Sequence, residues 1–310
     1  MAEASTRPAE RVAARHRPRV QWSKIATIVG FLLPAAVIYI GLVLLPVAQA
    51  IYYSFWRWNG LGPLQNFIGL DNYARLFNDK VFVGALGHNL QLVVLSILIQ
   101  LPLALGLALL VRSIARGRAA FRTIFFMPFV LSEVVTGVIW NFIYRPDGGL
   151  INSLLQSIIP GFKDTALLAN PKTVLYALFG VITWKFFGYH MILYIAGLQN
   201  IPAELEEAAQ IDGCGKFQTL RYITIPLLGN TIRLSIYLSV LGSLQFFDLI
   251  WVMTTGGPVS ASDTMATYLY KFGFQRFQLG YGSAIAVIIF LICFSFSLIY
   301  QRLVMRRDFE

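Results

Sequence analysis

Charged residues are scarce in this 310-residue chain: only 13% of its residues are Asp, Glu, Lys or Arg, whereas 57% are hydrophobic. A soluble globular chain usually carries about 25% charged and about 45–50% apolar residues. The scarcity of charge excludes a water-soluble domain of this size, and the apolar content excludes an intrinsically disordered chain. Cysteine is scarce as well, since Cys214 and Cys293 are too few and too far apart for a disulfide framework or a metal site.

Long runs without charge are abundant by contrast. A transmembrane helix needs about 20 apolar residues to cross about 30 Å of hydrocarbon, and six stretches of the chain provide them. We therefore predict an all-α polytopic membrane protein with six transmembrane helices. The predicted spans are residues 25–49, 88–111, 122–144, 174–198, 228–253 and 280–303.

The net charge of +10 would also suit a nucleic-acid-binding protein. Lys and Arg, however, are concentrated in the segments that six spans would place on one side of a membrane. This asymmetry predicts that both termini are cytoplasmic, beside anionic lipid, and that no nucleic acid is bound. The chain then consists of a basic cytoplasmic tail (1–24), a six-helix domain (25–305) and a cytoplasmic C-terminus (306–310) of a multi-pass protein of the cell membrane.

One predicted cytoplasmic connection, residues 200–226 (here the motif loop), has a distinctive pattern. Pro202 suits the first turn of a helix, and Gly213 suits the reversal after a helix. A second short helix follows until Pro226 starts the next span. The pattern predicts a helix–glycine–helix projection, which would suit transmission of motion, although an ordinary interfacial loop would show similar features.

The motif loop resembles the characteristic cytoplasmic motif of binding-protein-dependent ABC importer permeases. That motif is Glu-Ala-Ala, three residues, Gly, nine residues and Ile-x-Leu-Pro, and the chain departs from it only at Ile225, which replaces Leu. Asp212 and the segment 247–258 resemble the carbohydrate importers of the maltose and glycerol-phosphate type. The positions that match, and that the resemblance implies for coupling to the ATPase, are Glu207, Ala208, Ala209, Asp212, Gly213, Ile223 and Pro226.

The resemblance implies a type I importer permease fold and a set of partners. These partners are a second homologous permease subunit, two ATPase subunits and an extracytoplasmic solute-binding protein. ATP and Mg would be bound by the ATPase partner, so this chain is expected to bind no cofactor or metal and to have no catalytic residues of its own. The run Gly213–Phe217 superficially resembles a phosphate-binding loop, but Gln210 replaces its first glycine and Phe217 its Ser or Thr.

Three charged residues lie within predicted spans, namely Glu133, Lys185 and Asp248. A charge at mid-bilayer costs about 3 kcal/mol on insertion scales, so it normally faces a protein interior or a water-filled path. Lys185 is expected either to pair with one of the two acids or to contact the solute. Two of the three histidines, His88 and His190, have no spacing partner and are interpreted as buried or interfacial side chains with satisfied hydrogen bonds.

Spans four and five contain polar and aromatic residues at helical spacing. By analogy with the family, these two helices line the solute pathway, although small and hydroxyl residues equally favour tight helix packing. An aromatic face beside hydrogen-bonding groups would suit a sugar. The predicted pathway residues are Tyr189, Ser239, Ser243, Gln245, Trp184 and Asp248.

The sequence thus predicts the translocation subunit of an ATP-driven importer for a sugar, an oligosaccharide or a glycoside. An importer of the same class for a non-sugar solute such as a polyol phosphate is the main alternative. An ion-coupled secondary transporter is a further one, but no internal repeat is visible. A membrane-embedded enzyme would need a clustered catalytic set, and no such cluster appears in the sequence.

Overall fold

A computed structural model describes residues 22–113, 117–159 and 164–305. The predicted tail (up to residue 21) and the predicted C-terminus (306–310) lie outside these residues. No strand occurs in the described ranges, so the all-α prediction is confirmed. The helices are α1 (Thr27–Tyr53), α2 (Asp71–Asn78), α3 (Lys80–Ser113), α4 (Arg118–Val130), α5 (Glu133–Ile143), α6 (Leu150–Ile158), α7 (Val174–Gln199), α8 (Ala203–Ile211), α9 (Lys216–Leu227), α10 (Gly229–Leu244), α11 (Asp248–Thr254), α12 (Met265–Tyr270) and α13 (Leu279–Met305).

The chain divides into two compact units, Met1–Gln49 and Ala50–Glu310. In the first unit the large apolar side chains of α1 from Ile28 to Leu45 are exposed. Such a surface is stable in hydrocarbon rather than in water. All helices after α1 lie in the second unit.

Four helices, α1, α3, α7 and α13, are long and apolar enough to cross a membrane. Two further spans are possible if each of two bent helix pairs counts as one. The α4–α5 pair bends by 96° at Leu131 and Ser132, and the α9–α10 pair bends by 65° at Leu228. The described residues therefore allow up to six spans, two of them broken.

The break between α4 and α5 follows from local sequence. Pro128 lies inside the last turn of α4, where it removes one backbone donor and disfavours continuation of the helix. Leu131 and Ser132 are extended, and the chain then restarts as α5 with Glu133 in its first turn. An acidic residue at a helix N-terminus is favoured by the helix dipole.

Helix α7 is the most buried of the long helices and forms the centre of the second unit. Two glycines allow its neighbours to come close. A methyl group on Gly188 would lie 1.9 Å from the Phe125 carbonyl oxygen of α4, and one on Gly197 would lie 2.3 Å from the Thr231 hydroxyl of α10. Helix α4 thus approaches α7 at backbone distance, α10 meets it through the Thr231 side chain, and α3 also packs against α7.

Candidate functional site

The motif loop folds as two short helices around a glycine turn. Helix α8 ends in a left-handed Gly213, with φ of +82°. The Cys214 N–H donates to the Ala209 carbonyl at 2.9 Å, and the Gly213 N–H donates to the Gln210 carbonyl at 3.1 Å. These two bonds form a Schellman cap, which uses glycine because other residues are strained at positive φ. The family glycine therefore sets the angle between α8 and α9.

Most motif residues of this loop are exposed. Glu207, Ala208 and Asp212 are accessible, and Ala209 is buried against the bundle. Ile223 is half-buried, whereas Pro226 is exposed. Three large apolar side chains are also exposed on the loop, at 87% for Ile211, 73% for Phe217 and 70% for Tyr222. An exposed apolar patch with a polar rim is typical of a protein–protein interface.

An ion pair that the sequence reasoning missed ties the motif loop to the bundle. Arg112, near the end of α3, donates from Nη1 and Nη2 to the two carboxylate oxygens of Glu206, at 2.9 and 3.0 Å. The Thr224 hydroxyl of α9 donates to the same carboxylate at 2.9 Å. Glu206 therefore connects both helices of the motif loop, α8 and α9, to the end of α3.

A cavity of about 210 Å³ lies between α3, α4, α7 and α10. Tyr189, Ser239 and Ser243, all predicted pathway residues, line it. Aromatic rings form one wall, where Tyr189 stacks on Phe129 with ring centroids 4.8 Å apart. The lining residues are Ser96, Gln100, Phe129, Ile182, Phe186, Tyr189, His190, Leu238, Ser239, Gly242, Ser243 and Phe246.

Two polar residues of α3 belong to this cavity but were not predicted. Ser96 lies 3.5 Å from the Ser243 hydroxyl. Gln100 is only 3% exposed and lines the same cavity. Both residues lie in a long apolar run of the sequence. The polar amide of Gln100 within a predicted membrane span could have indicated a pathway residue.

His190 also lines the cavity, and its Nδ1 lies 2.8 Å from the Ser235 hydroxyl. This is the satisfied buried histidine that the sequence suggested. His88 Nδ1 lies 2.9 Å from the Asp263 carbonyl oxygen. Each imidazole therefore has a hydrogen-bonding neighbour on another segment of the chain.

The other three predicted pathway residues lie outside the cavity. Gln245 caps the end of α10, is exposed and lies 3.6 Å from Cys293 Sγ. Trp184 packs edge-on against Trp140, with centroids 5.4 Å apart. Asp248 is exposed in the first turn of α11.

The three intramembrane charges converge where the broken helices meet. Glu133 lies within electrostatic range of both Asp248 and Lys185. Lys185, only 2% exposed, donates from Nζ to the Leu131 carbonyl at 2.5 Å. It thus caps the end of α4, and among the described residues no carboxylate lies within ion-pair distance of it.

The part of the chain that the structure describes contains no cluster of possible metal ligands. No group of three or more His, Cys, Asp or Glu side chains there could hold a metal ion. Cys214 and Cys293 are both free thiols.

Comparison with known proteins places these features in a family. The family described as "Binding-protein-dependent transport system inner membrane component" matches residues 100–308. The diacetylchitobiose uptake system permease protein of Streptomyces coelicolor is 32% identical over 303 residues, 93% of this chain and 86% of that protein. The multiple sugar-binding transport system permease protein of Streptococcus mutans is 32% identical over 247 residues, 80% of this chain and 84% of that protein.

A solved structure has the same fold. It is the bacterial alginate ABC transporter in complex with an alginate pentasaccharide-bound periplasmic protein, and one of its chains superposes with a TM-score of 0.80. The sequence identity is 24%, over 92% of this chain and 97% of that one.

Proposed function

The chain belongs to the family of binding-protein-dependent transport system inner membrane components, and we propose that it forms part of the pathway for a neutral sugar, an oligosaccharide or a glycoside. Members of this family are ABC importer permeases, membrane-embedded transporter subunits rather than enzymes. In the proposed cycle an external binding protein delivers the solute, and the pathway opens alternately to either side of the cell membrane.

The cavity between α3 and α10 carries the sugar proposal. Sugars present apolar ring faces and many hydroxyl groups, so their sites combine aromatic side chains with a few placed polar groups. Tyr189 and Phe129 supply the aromatic wall, and Gln100, Ser239 and Ser243 supply donors and acceptors. The names of the two relatives, which concern diacetylchitobiose and multiple sugars, agree with this chemistry.

The same lining argues against a polyol phosphate. A phosphate group is normally held by Arg or Lys, and the cavity lining among the described residues contains neither. Lys185, the nearest candidate on α7, is engaged with the Leu131 carbonyl instead. The proposal therefore takes a neutral solute.

Coupling is proposed to pass through the motif loop. Its exposed Glu207 and its exposed apolar side chains at Ile211, Phe217 and Tyr222 offer a docking surface to a separate ATPase subunit. In this assignment the ATPase binds ATP and Mg, this chain binds no cofactor, and the loop and both termini are cytoplasmic. Two ATPase subunits and a second homologous permease complete the importer.

Uptake by the complete importer tests the sugar assignment. In cells or proteoliposomes, Tyr189→Ala should raise the KM for the transported sugar about tenfold, the loss of roughly one good stacking or hydrogen-bonding contact. Gln100→Leu, which nearly keeps the side-chain size but removes the amide, should act in the same direction. Tyr176→Ala is the matched control, because Tyr176 lies on the same helix but is exposed at 56%.

Unchanged KM values in both cavity variants would remove this cavity from the pathway. A panel of neutral sugars, acidic sugars and polyol phosphates, offered to the unmodified importer, tests the solute class. Competition by a polyol phosphate alone would contradict the neutral-sugar proposal.

A further inference from the structure

A second pocket, of about 160 Å³, lies where the ends of α3 and α7 meet the start of α4. Arg112, Arg118 and Arg122 line it, together with Gln199 and three aliphatic side chains. Its described lining includes no carboxylate. We call this site the arginine pocket.

The arginine pocket contains a donor without an acceptor. A guanidinium group has five N–H donors, accepts no hydrogen bond and stays charged. Arg112 directs two of its donors to Glu206, outside the pocket lining. The Nε atom of Arg122 is buried and has no hydrogen-bond partner among the described residues.

Such an arrangement calls for an anion. Buried donors in folded proteins are nearly always paired, and the Nε atom of Arg122 has no such partner among the described residues. The aliphatic part of the lining reduces contact with water, which strengthens the attraction for an anion. The planar fork of arginine matches phosphate oxygens in particular.

We propose that the arginine pocket binds a phosphate group, and that this phosphate belongs to the headgroup of an anionic phospholipid. The position of the pocket favours a lipid over a soluble ion. Two of its lining residues lie at the ends of spans. Gln199 is the last residue of α7, and Arg112 directly precedes Ser113, the last residue of α3. Headgroups occupy this level of a membrane, and basic pockets between transmembrane helices bind anionic headgroups.

A bound headgroup would act on the motif loop through Arg112. The Arg112 side chain lines the arginine pocket and also holds Glu206 of α8. A lipid phosphate would fix the end of α3, and with it the anchor of the loop. This consequence rests on the proposed function, whereas the binding itself does not.

Lipid binding to the complete importer, purified in a neutral detergent, provides the test. Native mass spectrometry would count retained lipid during separate titrations with phosphatidylglycerol, phosphatidylcholine and inorganic phosphate. Arg122→Gln removes the charge and the guanidinium fork but keeps an N–H donor, and Arg122→Lys keeps the charge without the fork. Arg302→Gln is the control, because Arg302 is an exposed arginine outside the arginine pocket. It lies two residues after Tyr300, whose hydroxyl donates to the Arg233 carbonyl of α10.

The unmodified importer and Arg302→Gln should retain phosphatidylglycerol in preference to phosphatidylcholine. Arg122→Gln should bind phosphatidylglycerol about tenfold more weakly, the loss of one charge-assisted contact, with Arg122→Lys between them. Equal binding by Arg122→Gln and the control would overturn the site. Inorganic phosphate bound by the pocket, with no preference for phosphatidylglycerol, would overturn the lipid assignment.

If Arg122→Gln does not assemble, Arg122→Lys decides: it must bind phosphatidylglycerol more weakly than the Arg302→Gln control. None of these measurements uses transport. If the unmodified importer retained phosphatidylglycerol but took up no sugar, that result would therefore count against the proposed function alone.

Discussion

The Glu206 carboxylate and the Arg112 guanidinium form a two-pronged ion pair, at 2.9 and 3.0 Å, between helices α8 and α3. The next residue, Glu207, is exposed. Two adjacent glutamates of the motif loop therefore differ in role. One fixes the loop to the bundle, and the other remains available to a partner.

Glu207→Lys should abolish sugar uptake, since it reverses the charge at the proposed docking surface. The variant should unfold at nearly the same temperature as the unmodified chain, because surface substitutions usually change stability by less than about 0.5 kcal/mol. Uptake, thermal unfolding in detergent and co-purification of the ATPase subunit check the prediction. Normal uptake by an assembled Glu207→Lys importer would contradict the docking role.

Glu206→Gln and Arg112→Gln should each lower the free energy of unfolding by about 1–2 kcal/mol, because each breaks a partly buried charge-assisted contact. The double variant Arg112→Gln with Glu206→Gln should lose less than the sum of the two single losses, because it leaves neither charge without its partner. Thermal unfolding of the four chains in detergent gives the coupling energy. Single effects that add to within about 0.3 kcal/mol would show that the pair contributes nothing.

Gly213→Ala should destabilise the motif loop by about 1 kcal/mol or more, because alanine is strained at a φ of +82°. The loss of the turn angle should also reduce uptake. Gly215→Ala is the matched control two residues away, since Gly215 has a φ of −71° and room for a methyl group. If both variants transport equally well, the left-handed turn is not needed for coupling.

Much of this fold was predictable from local sequence. Charge-free runs mark apolar helices because a hydrocarbon layer tolerates few charges. The motif loop was also predictable, because Pro202 favours the start of a helix and Gly213 its end. The Glu-Ala-Ala run between them suits the helix itself. The left-handed glycine and the two loop helices are local features of this kind.

Contacts between distant residues were not predictable in the same way. The sequence left open whether Lys185 pairs with an acid or contacts the solute, and in the structure its Nζ donates to the Leu131 carbonyl at the broken end of α4. The break itself, at 96°, decides this, since it frees carbonyl groups that a buried ammonium can satisfy. Gln100 and the Arg112–Glu206 pair were missed because their partners or cavity come from other helices.

The segment after α11 contains a further long-range network. Asp263, fully buried, accepts hydrogen bonds from Lys271 Nζ at 2.7 and 2.9 Å and from the Thr267 hydroxyl at 2.9 Å. Gly256 lies against this carboxylate, where a methyl group would be 1.8 Å from Asp263 Oδ1. The segment is joined to α3 by Asn89, which accepts from the Met265 N–H at 2.9 Å.

A tyrosine connects the same segment to the start of α3. The Tyr268 hydroxyl donates to Asp79 Oδ2 at 2.6 Å. Burial, and then the neighbouring carboxylate, raise the pKa of Tyr268, so the hydroxyl keeps its proton across the physiological range. Asp79 in turn accepts from the Val81 N–H at the beginning of α3.

Asp263→Asn should lower the free energy of unfolding by about 3 kcal/mol, because it leaves the Lys271 ammonium without its carboxylate partner in a largely buried site. Gly256→Ala should destabilise the chain as well, since the added methyl group would displace the same carboxylate. Thermal unfolding in detergent measures both effects, with Asp147→Asn as the control at an exposed carboxylate. Lys271→Met combined with Asp263→Asn should recover stability relative to Asp263→Asn alone, because it removes the unpaired ammonium. If instead Asp263→Asn unfolds at the same temperature as Asp147→Asn, the buried pair does not hold this segment in place.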